Sequence, residues 1–322
     1  MDLLFYGVIM LCVVMFGGCF AFNDVYRKMR GGGLKISMQF SFISAIAALV
    51  IMIIWNMFFE IVKEPTPQFS VGFFGLDIGF SWFTAGIALI QTLSGFAFTF
   101  CSFMALGKIN LSLYSIFSML GGMVLPFLQG IIFYREPITW EKVVCFILIV
   151  VALFVTLEKD KTGKKKGGTI YYIGIFTFNG MSGVLATLFE KAPEPWKNGT
   201  DAAGLSIYSA LFSLVLSSFI LLVFLRKVKA PKLTLASTGI CALSGVTNKI
   251  ANYLLIIALM FVDASVQYPM ITGGVMIVST VISYIKRTKP SKRELISVAI
   301  AFVGLLLLFI VPMIRRSITG EG

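Results

Sequence analysis

The sequence predicts an all-α polytopic membrane protein with ten transmembrane helices, arranged as two inverted five-helix repeats. Hydrophobic residues make up 58% of the chain and the mean hydropathy is +0.93, which is not typical of a soluble domain. Apolar runs of about 18 residues or more recur, and each can cross a hydrocarbon core of about 30 Å as a helix. The alternating pattern of a transmembrane β-barrel is absent from the sequence, so helices are the predicted spanning element.

A faint internal repeat predicts the two halves. Residues 105–141 align without a gap to residues 258–294, and the turn, charge and apolar blocks of the two segments coincide. The identical pairs include Ala105/Ala258, Leu106/Leu259, Ser112/Ser265, Gly121/Gly274, Pro137/Pro290 and Glu141/Glu294. Such weak symmetry is typical of transporters built from two related halves.

The apolar runs define the domain organisation. The predicted spans are residues 3–22, 36–59, 79–103, 109–133, 142–157, 168–188, 202–225, 234–260, 264–285 and 295–314. The first half is residues 1–157, a charged linker follows at 158–167, and the second half is residues 168–322. Because each half has an odd number of spans, the second half is expected to be inverted relative to the first.

The distribution of Lys and Arg predicts the orientation. These residues concentrate in the connections after the first, third, fifth, seventh and ninth spans. The positive-inside rule then places those connections in the cytoplasm and both termini outside. The first apolar run begins at Leu3 without a basic segment or a cleavage site, so we interpret it as a retained helix.

Two spans differ from the other eight. Spans 142–157 and 295–314 are almost uniformly apolar, which predicts that they face lipid or a partner subunit. We therefore expect a monomer or a homodimer formed through these two spans. The other eight contain polar groups and are expected to surround a central path.

The composition argues against several classes of function. There is no His, and the five cysteines all lie in apolar runs without metal-ligand spacing. No nucleotide-binding or hydrolase motif occurs. We therefore predict no enzymatic activity, no cofactor and no metal. The net charge of +12 is attributed to a basic cytoplasmic face against anionic lipid rather than to nucleic-acid binding.

Lys249 is the main candidate for a substrate-binding residue. It lies close to the middle of the predicted span 234–260, too deep for its amine to reach either interface. A charged Lys at this depth requires water or an anionic partner, and no Asp or Glu is predicted within a span. A wet cavity where Lys249 meets an anionic group of the substrate satisfies this requirement. The alternative is a neutral or snorkelling Lys, or one satisfied by carbonyl and hydroxyl groups of neighbouring helices.

Other polar residues are candidates for the same site. The repeat aligns Gly95, Phe96 and Thr99 with Asn248, Lys249 and Asn252, which predicts a pocket that is basic on one side and aromatic on the other. The remaining predicted substrate-binding residues are Gln91, Asn179, Tyr114 and Tyr268. The alternative for each of them is an interhelical hydrogen bond.

The chain resembles the drug/metabolite transporter superfamily in its two-repeat, EamA-like form. The residues that carry the resemblance are Ala105 and Leu106, the elbow Arg135-Glu136-Pro137-Ile138-Thr139, the apolar span after it, and Thr288-Lys289-Pro290. Relatives usually have an acidic residue before the proline in both halves, and Lys289 departs from that pattern. The resemblance implies ten helices, alternating access and a pocket between the halves. It also implies cytoplasmic termini, which conflicts with the Lys and Arg distribution.

The predicted function is secondary transport of a small polar metabolite that carries an anionic group. Relatives export amino acids and drugs, take up choline, or exchange nucleotide sugars and sugar phosphates, so the resemblance does not select a substrate. The alternatives are an exporter of cationic or apolar drugs and amines, or an amino-acid exporter. A membrane-embedded enzyme or a scaffold is less favoured. We expect a facilitator or exchanger, with proton coupling through Lys249 as the alternative, in a bacterial inner membrane.

Overall fold

The computed structural model describes residues 2–31, 33–60, 70–73, 76–106, 111–155, 169–229, 231–285 and 292–319. Within these ranges the chain forms eleven α-helices and one β-hairpin. The helices are α1 Asp2–Arg30, α2 Leu34–Glu60, α3 Trp82–Leu106, α4 Leu111–Tyr134, α5 Trp140–Val155, α6 Thr169–Glu190, α7 Glu194–Lys197, α8 Ala202–Phe219, α9 Leu235–Ala258, α10 Ala264–Ile285 and α11 Lys292–Thr319. The π-helical turn Ile220–Phe224 extends α8. The hairpin strands β1 Ser70–Phe73 and β2 Leu76–Gly79 pair antiparallel between α2 and α3.

The helices identify an integral membrane protein. Each of the ten predicted spans overlaps a helix, and within the described residues eight segments are long and apolar enough to cross a membrane. They are Leu4–Arg30, Leu34–Asn56, Trp82–Cys101, Phe117–Tyr134, Ile170–Glu190, Glu194–Phe224, Leu235–Ala258 and Ala264–Ile282. The other two are shorter: α5 has 16 residues, and the apolar stretch described in α11 is Leu295–Leu308. A count of ten crossings in two repeats therefore stays a prediction.

Local sequence signals explain where several helices begin. The Asp201 carboxylate accepts a hydrogen bond from the Gly204 amide at the start of α8. Thr234 and Ser237 form a capping box that starts α9. Gly31 and Gly33 have positive φ angles of 81° and 153°, which permits the short turn between α1 and α2.

Close packing between α4 and α6 depends on glycines. A Cβ at Gly121 would clash with the carbonyl of Phe176. A Cβ at Gly180 would meet the carbonyl of Gly121 and the side chain of Leu125. Small residues allow two membrane helices to approach this closely. Gly121 and Gly180 therefore have a packing role rather than a binding role.

Helices α5 and α11 pack against each other within one chain. The Ser297 hydroxyl donates to the carbonyl of Ala152, and a Cβ at Gly304 would lie 3.3 Å from Leu148. Ile149, Leu153 and Leu305 belong to one buried core cluster. Apolar side chains on the outer faces stay exposed, including Ile147, Val151, Phe154, Phe302 and Val303. The outer faces are thus free for lipid, and a homodimer through them stays a prediction.

Side-chain contacts distinguish the two ends of the helix bundle. The Glu136 end is defined here as the end with the connections α2–α3, α4–α5, α6–α8 and α9–α10. The Glu136 carboxylate accepts hydrogen bonds from the amides of Ala264 and Ser265, each at 2.9 Å. The Arg30 end is the opposite end, where Arg30 donates to the carbonyl of Lys232 and Lys35 donates to that of Val228.

Candidate substrate cavity

A cavity of about 440 Å³ lies between helices of both predicted halves. Its wall comes from α1, α2 and α3 on one side and from α6, α8 and α9 on the other. Helices α4 and α10 contribute no lining residue among those described, so the wall consists of six helices rather than the expected eight. This volume is within the range of ligand pockets, roughly 300–1,000 Å³.

Lys249 contributes the positive charge of this cavity. It lies in the interior of α9, and its amine donates a hydrogen bond to the Ser209 hydroxyl on α8. Ser209 in turn donates to the carbonyl of Ser206 at 3.1 Å, so its oxygen is oriented toward Lys249. Among the described lining residues there is no Asp or Glu. The Lys249 amine therefore has a hydroxyl partner but no anionic lining partner.

The repeat-related residues of the first half line the same cavity. Gly95, Phe96 and Thr99 on α3 belong to the wall, as do Asn248, Lys249 and Asn252 on α9. An added Cβ at Gly95 would have no heavy atom within 4 Å, so this glycine borders empty space. The pocket is thus basic on the α9 side and aromatic on the α3 side.

Three further predicted residues line this cavity beside Lys249. Asn252 donates through Nδ2 to the carbonyl and the side-chain oxygen of Asn248, at 2.8 and 3.0 Å. Gln91 donates to the Ser182 hydroxyl at 3.4 Å. These contacts orient amide groups at the wall, and the role of each residue in substrate binding stays a prediction.

Two other predicted residues, Asn179 and Tyr268, are not among the lining residues of the cavity. Asn179 donates to the carbonyl of Ser118 at 2.6 Å, and Tyr268 donates to the carbonyl of Gly183 at 2.9 Å. Both contacts are interhelical hydrogen bonds, the alternative that the sequence left open for them. The side chain of Tyr114 lies outside the described residues.

Most of the hydroxyl groups in the wall were not predicted from the sequence. Seven serines line the cavity: Ser41, Ser44, Ser182, Ser206, Ser209, Ser213 and Ser244. Asn23, Phe40 and Phe98 were also missed. One signal for them was available, because Ser206, Ser209 and Ser213 follow a helical spacing of three and four residues. Such a stripe predicts one polar face on α8.

The cavity is closed toward the Glu136 end. Its lining residues nearest that end are Leu205 and Ile256, which are 1% and 3% exposed. Gly95 and Asn248 at middle depth are exposed, and Thr99 and Ser213 nearer the Arg30 end are half-buried. Access is therefore greater from the Arg30 end.

Within the described part of the chain, no group of three or more His, Cys, Asp or Glu residues is arranged to hold a metal ion. The polar groups of the described wall include an amine, side-chain amides and hydroxyls, and aromatic rings lie beside them.

Comparisons with known proteins establish the fold but not the function. No family model matches the sequence, and no curated protein matches it. Among solved structures, one described as "Crystal structure of protein" is similar, with a TM-score of 0.70 and 13% sequence identity. The similarity covers 94% of this chain and 96% of that chain. The whole helical architecture is thus shared with a solved structure.

Proposed function

We propose that this protein is a secondary transporter that moves a small polar metabolite with an anionic group by alternating access. The observation that carries the proposal is the position of the Lys249 amine. Lys249 lies in the interior of a membrane helix, and its amine faces a cavity in which none of the described lining residues is acidic. A charge in this position is costly unless it meets water or an opposite charge. An anionic substrate supplies that opposite charge each time it binds.

The pattern of helix contacts supports the two inverted halves. If α1–α5 correspond to α6, α8, α9, α10 and α11, exchanging the halves should convert one contact into another. The pair α1–α9 becomes α3–α6, the pair α2–α9 becomes α3–α8, and the pair α4–α6 becomes α1–α10, and all six pairs are in contact. The pairs α2–α8, α4–α10 and α5–α11 convert into themselves, as contacts across a pseudo-two-fold axis do. Ten crossings and repeat boundaries at 1–157 and 168–322 are part of this proposal.

Family membership, location and orientation belong to the same proposal. The Glu136-Pro137 elbow and the two-repeat arrangement support the drug/metabolite transporter superfamily and a bacterial inner membrane. The concentration of Arg and Lys at the Arg30 end supports a cytoplasmic location for that end. Labelling single cysteines at Lys227 and Lys191 in intact cells tests the orientation, because these exposed residues lie at opposite ends. Labelling of Lys227→Cys from outside the cell would reverse it.

The transport test uses purified protein in proteoliposomes adsorbed on a solid-supported membrane. Movement of an anion generates a current when monocarboxylates, sugar phosphates or nucleotides are added to the outside. We expect current from at least one class with the wild type and none with Lys249→Ala, because the anion loses the one cationic side chain among the described lining residues. Lys227→Ala is the matched control, since this Lys is exposed outside the cavity. Equal currents in both variants would remove Lys249 from the site.

An exporter of cationic or apolar compounds is the second candidate. Phe40, Phe96 and Phe98 line the cavity, and aromatic faces bind organic cations. This candidate predicts inward-positive currents with tetraphenylphosphonium, and those currents should persist in Lys249→Ala. The sign of the current distinguishes the two functions in one preparation. An amino-acid exporter predicts no current of either sign. Its transport would be detected instead as exchange of labelled amino acid.

A further inference from the structure

We infer that the cavity takes a hydroxylated monocarboxylate, with its carboxylate at Lys249 and its uncharged body over Gly95 and against Phe96. Gly95 then sets the size limit of the substrate. This inference deepens the proposed transport function and rests on it. It concerns which anions the site accepts and which residue limits their size.

The charge balance of the wall selects a single negative charge. Lys249 is the one cationic side chain among the described lining residues, and no acidic side chain accompanies it. A second negative charge on the substrate would lack a cationic partner, and the ammonium group of a zwitterion would lack a carboxylate. Burying an unpaired charge is unfavourable, so dianions, zwitterions and cations should bind less well than a monoanion of the same shape.

The difference between the two repeats defines where the body of the substrate lies. Asn248 and Lys249 correspond to Gly95 and Phe96 in the first half, so a side chain is missing on α3 where α9 carries an amide. The space beside Gly95 is empty to at least 4 Å from an added Cβ. The nearby Thr99 hydroxyl does not replace the missing amide, because it donates to the carbonyl of Gly95 at 2.9 Å. The neutral part of the substrate fits this recess.

The rest of the wall favours hydroxyl groups on that body. Ser41 and Ser213 add hydroxyls to the cavity wall, and Asn23 adds an amide. Groups of this kind both donate and accept hydrogen bonds without adding charge. The Phe96 ring offers an apolar face for the C–H groups of a hydroxylated chain. A hydroxylated monocarboxylate matches the amine, the hydroxyls and the ring together.

The experiment uses pairs of probes that share a carbon skeleton and differ in charge. Lactate is compared with alanine, and gluconate with the dianion glucarate and the cation glucosamine. Thermal stability of the purified protein reports binding, since a ligand that binds the folded state raises its melting temperature. Currents on the solid-supported membrane report transport. We expect shifts and currents with lactate and gluconate, much smaller ones with the other three, and none in Lys249→Met.

Gly95 variants test the size limit. Gly95→Leu should lower the affinity for gluconate roughly 10-fold or more while affecting lactate less, as a filled pocket rejects the longer substrate. Gly95→Ala should lie between Gly95→Leu and the wild type, and it also covers the case in which the Leu variant folds poorly. Gly239→Leu is the matched control, because Gly239 is also helical, lies outside the cavity and has no heavy atom within 4 Å of an added Cβ.

The failures of the two proposals are distinguishable. Absence of both a current and exchange of labelled anion, for every anion in the broad panel, overturns the transport function. Thermal shifts that are as large with alanine, glucosamine or glucarate as with their monoanionic partners overturn the substrate class and leave transport standing. Equal effects of Gly95→Leu and Gly239→Leu on gluconate, or an equal loss of lactate and gluconate in Gly95→Leu, overturn the role of Gly95. Absence of any thermal shift with lactate and gluconate overturns the substrate class as well.

Discussion

The Glu136 end and the Arg30 end of the bundle are held together by different chemistry. At the Glu136 end, acidic groups meet amides and an amine across the two predicted halves. Glu136 binds the first amides of α10, and Lys142 pairs with Asp263 at 2.7 Å. At the Arg30 end, basic side chains donate to backbone carbonyls, as Arg30 and Lys35 do. The Glu136 end thus has ionic contacts matched in charge, whereas the Arg30 end has an excess of positive charge.

The repeat predicts that the Arg30 end cannot form the same contacts. The positions aligned with Glu136, Lys142 and Asp263 are Lys289, Leu295 and Asn110. A Lys cannot accept hydrogen bonds from a helix N-terminus, and Leu with Asn cannot form an ion pair. Each of the three residues whose charge holds the Glu136 end together is therefore replaced, at the aligned position of the Arg30 end, by a residue that cannot make the same contact. We expect the conformation closed at the Glu136 end to be favoured, which is where the cavity is closed.

Removal of the Glu136 carboxylate should have the largest effect on this difference. Glu136→Ala leaves the amides of Ala264 and Ser265 without their acceptor in a buried position. We expect a loss of about 2 kcal/mol in unfolding free energy, the typical cost of removing a charged partner from buried donors. Chemical denaturation in detergent measures the loss. A membrane-impermeant maleimide should also label Leu205→Cys faster in the Glu136→Ala background, because the closed end opens.

Two variants control this prediction. Glu136→Gln retains one acceptor oxygen and should lose less stability than Glu136→Ala. Glu194→Ala removes an acidic residue at the same end whose side chain is 79% exposed, so it should change stability by less than about 0.5 kcal/mol. If Glu136→Ala and Glu194→Ala gave the same stability and labelling, the Glu136 contact would have no role in closing this end.

Breaking the ion pair between Lys142 and Asp263 should have an intermediate effect. The Lys142 side chain is 7% exposed, but that of Asp263 is 38% exposed, so solvent screens the pair and its contribution is discounted. We expect Asp263→Asn to cost about 1 kcal/mol. Lys142 also donates to the carbonyl of Pro137 at 3.0 Å, which ties it to the Glu136 elbow. A double-mutant cycle with Glu136→Gln should therefore give a coupling energy different from zero. Strict additivity would show that the two contacts act independently.

Removal of a neutral contact at the same end should have a smaller effect. The buried Thr84 hydroxyl bonds the Thr200 hydroxyl between α3 and the connection before α8. Thr84→Val keeps the shape of the side chain, and Thr200 retains its bond to the carbonyl of Lys197. We expect a cost of about 0.5–1 kcal/mol, measured by the same denaturation assay. A larger cost than that of Glu136→Ala would mean that the neutral contacts, rather than the ionic ones, hold this end.

The helices and the position of Lys249 inside a membrane span could both be predicted from the sequence, for one physical reason. Membrane spans are long apolar runs, so their existence and the one charge inside such a run are both visible without a structure. Asn179 bonds the carbonyl of Ser118 on α4 and is not among the lining residues, a contact that the sequence could not predict because helical periodicity defines a face but not the helix that packs against it. The cavity serines were missed because a serine is compatible with any face of a membrane helix, where its hydroxyl can bond its own backbone.

Local sequence rules could not predict the contact between Glu136 and the first amides of α10. A carboxylate near a helix start suggests a cap on the adjacent helix. Glu136 instead caps α10, whose first residues lie in the other predicted half. Only the packing of α4 and α5 against α10 brings the two together. Long-range contacts of this kind depend on the tertiary arrangement, which the repeat alone does not define.

The smallest effect is expected at the Arg30 end. Lys35 donates to the carbonyl of Val228 in an exposed position, where water can replace the lost donor. Lys35→Gln should therefore change the unfolding free energy by less than about 0.5 kcal/mol and should leave labelling of Leu205→Cys unchanged. The same denaturation and labelling assays apply. If Lys35→Gln destabilised the protein as much as Glu136→Ala, the two ends would be held equally strongly. The excess of ionic contacts at the Glu136 end would then have no energetic consequence, and the preference for closure at that end would require another cause.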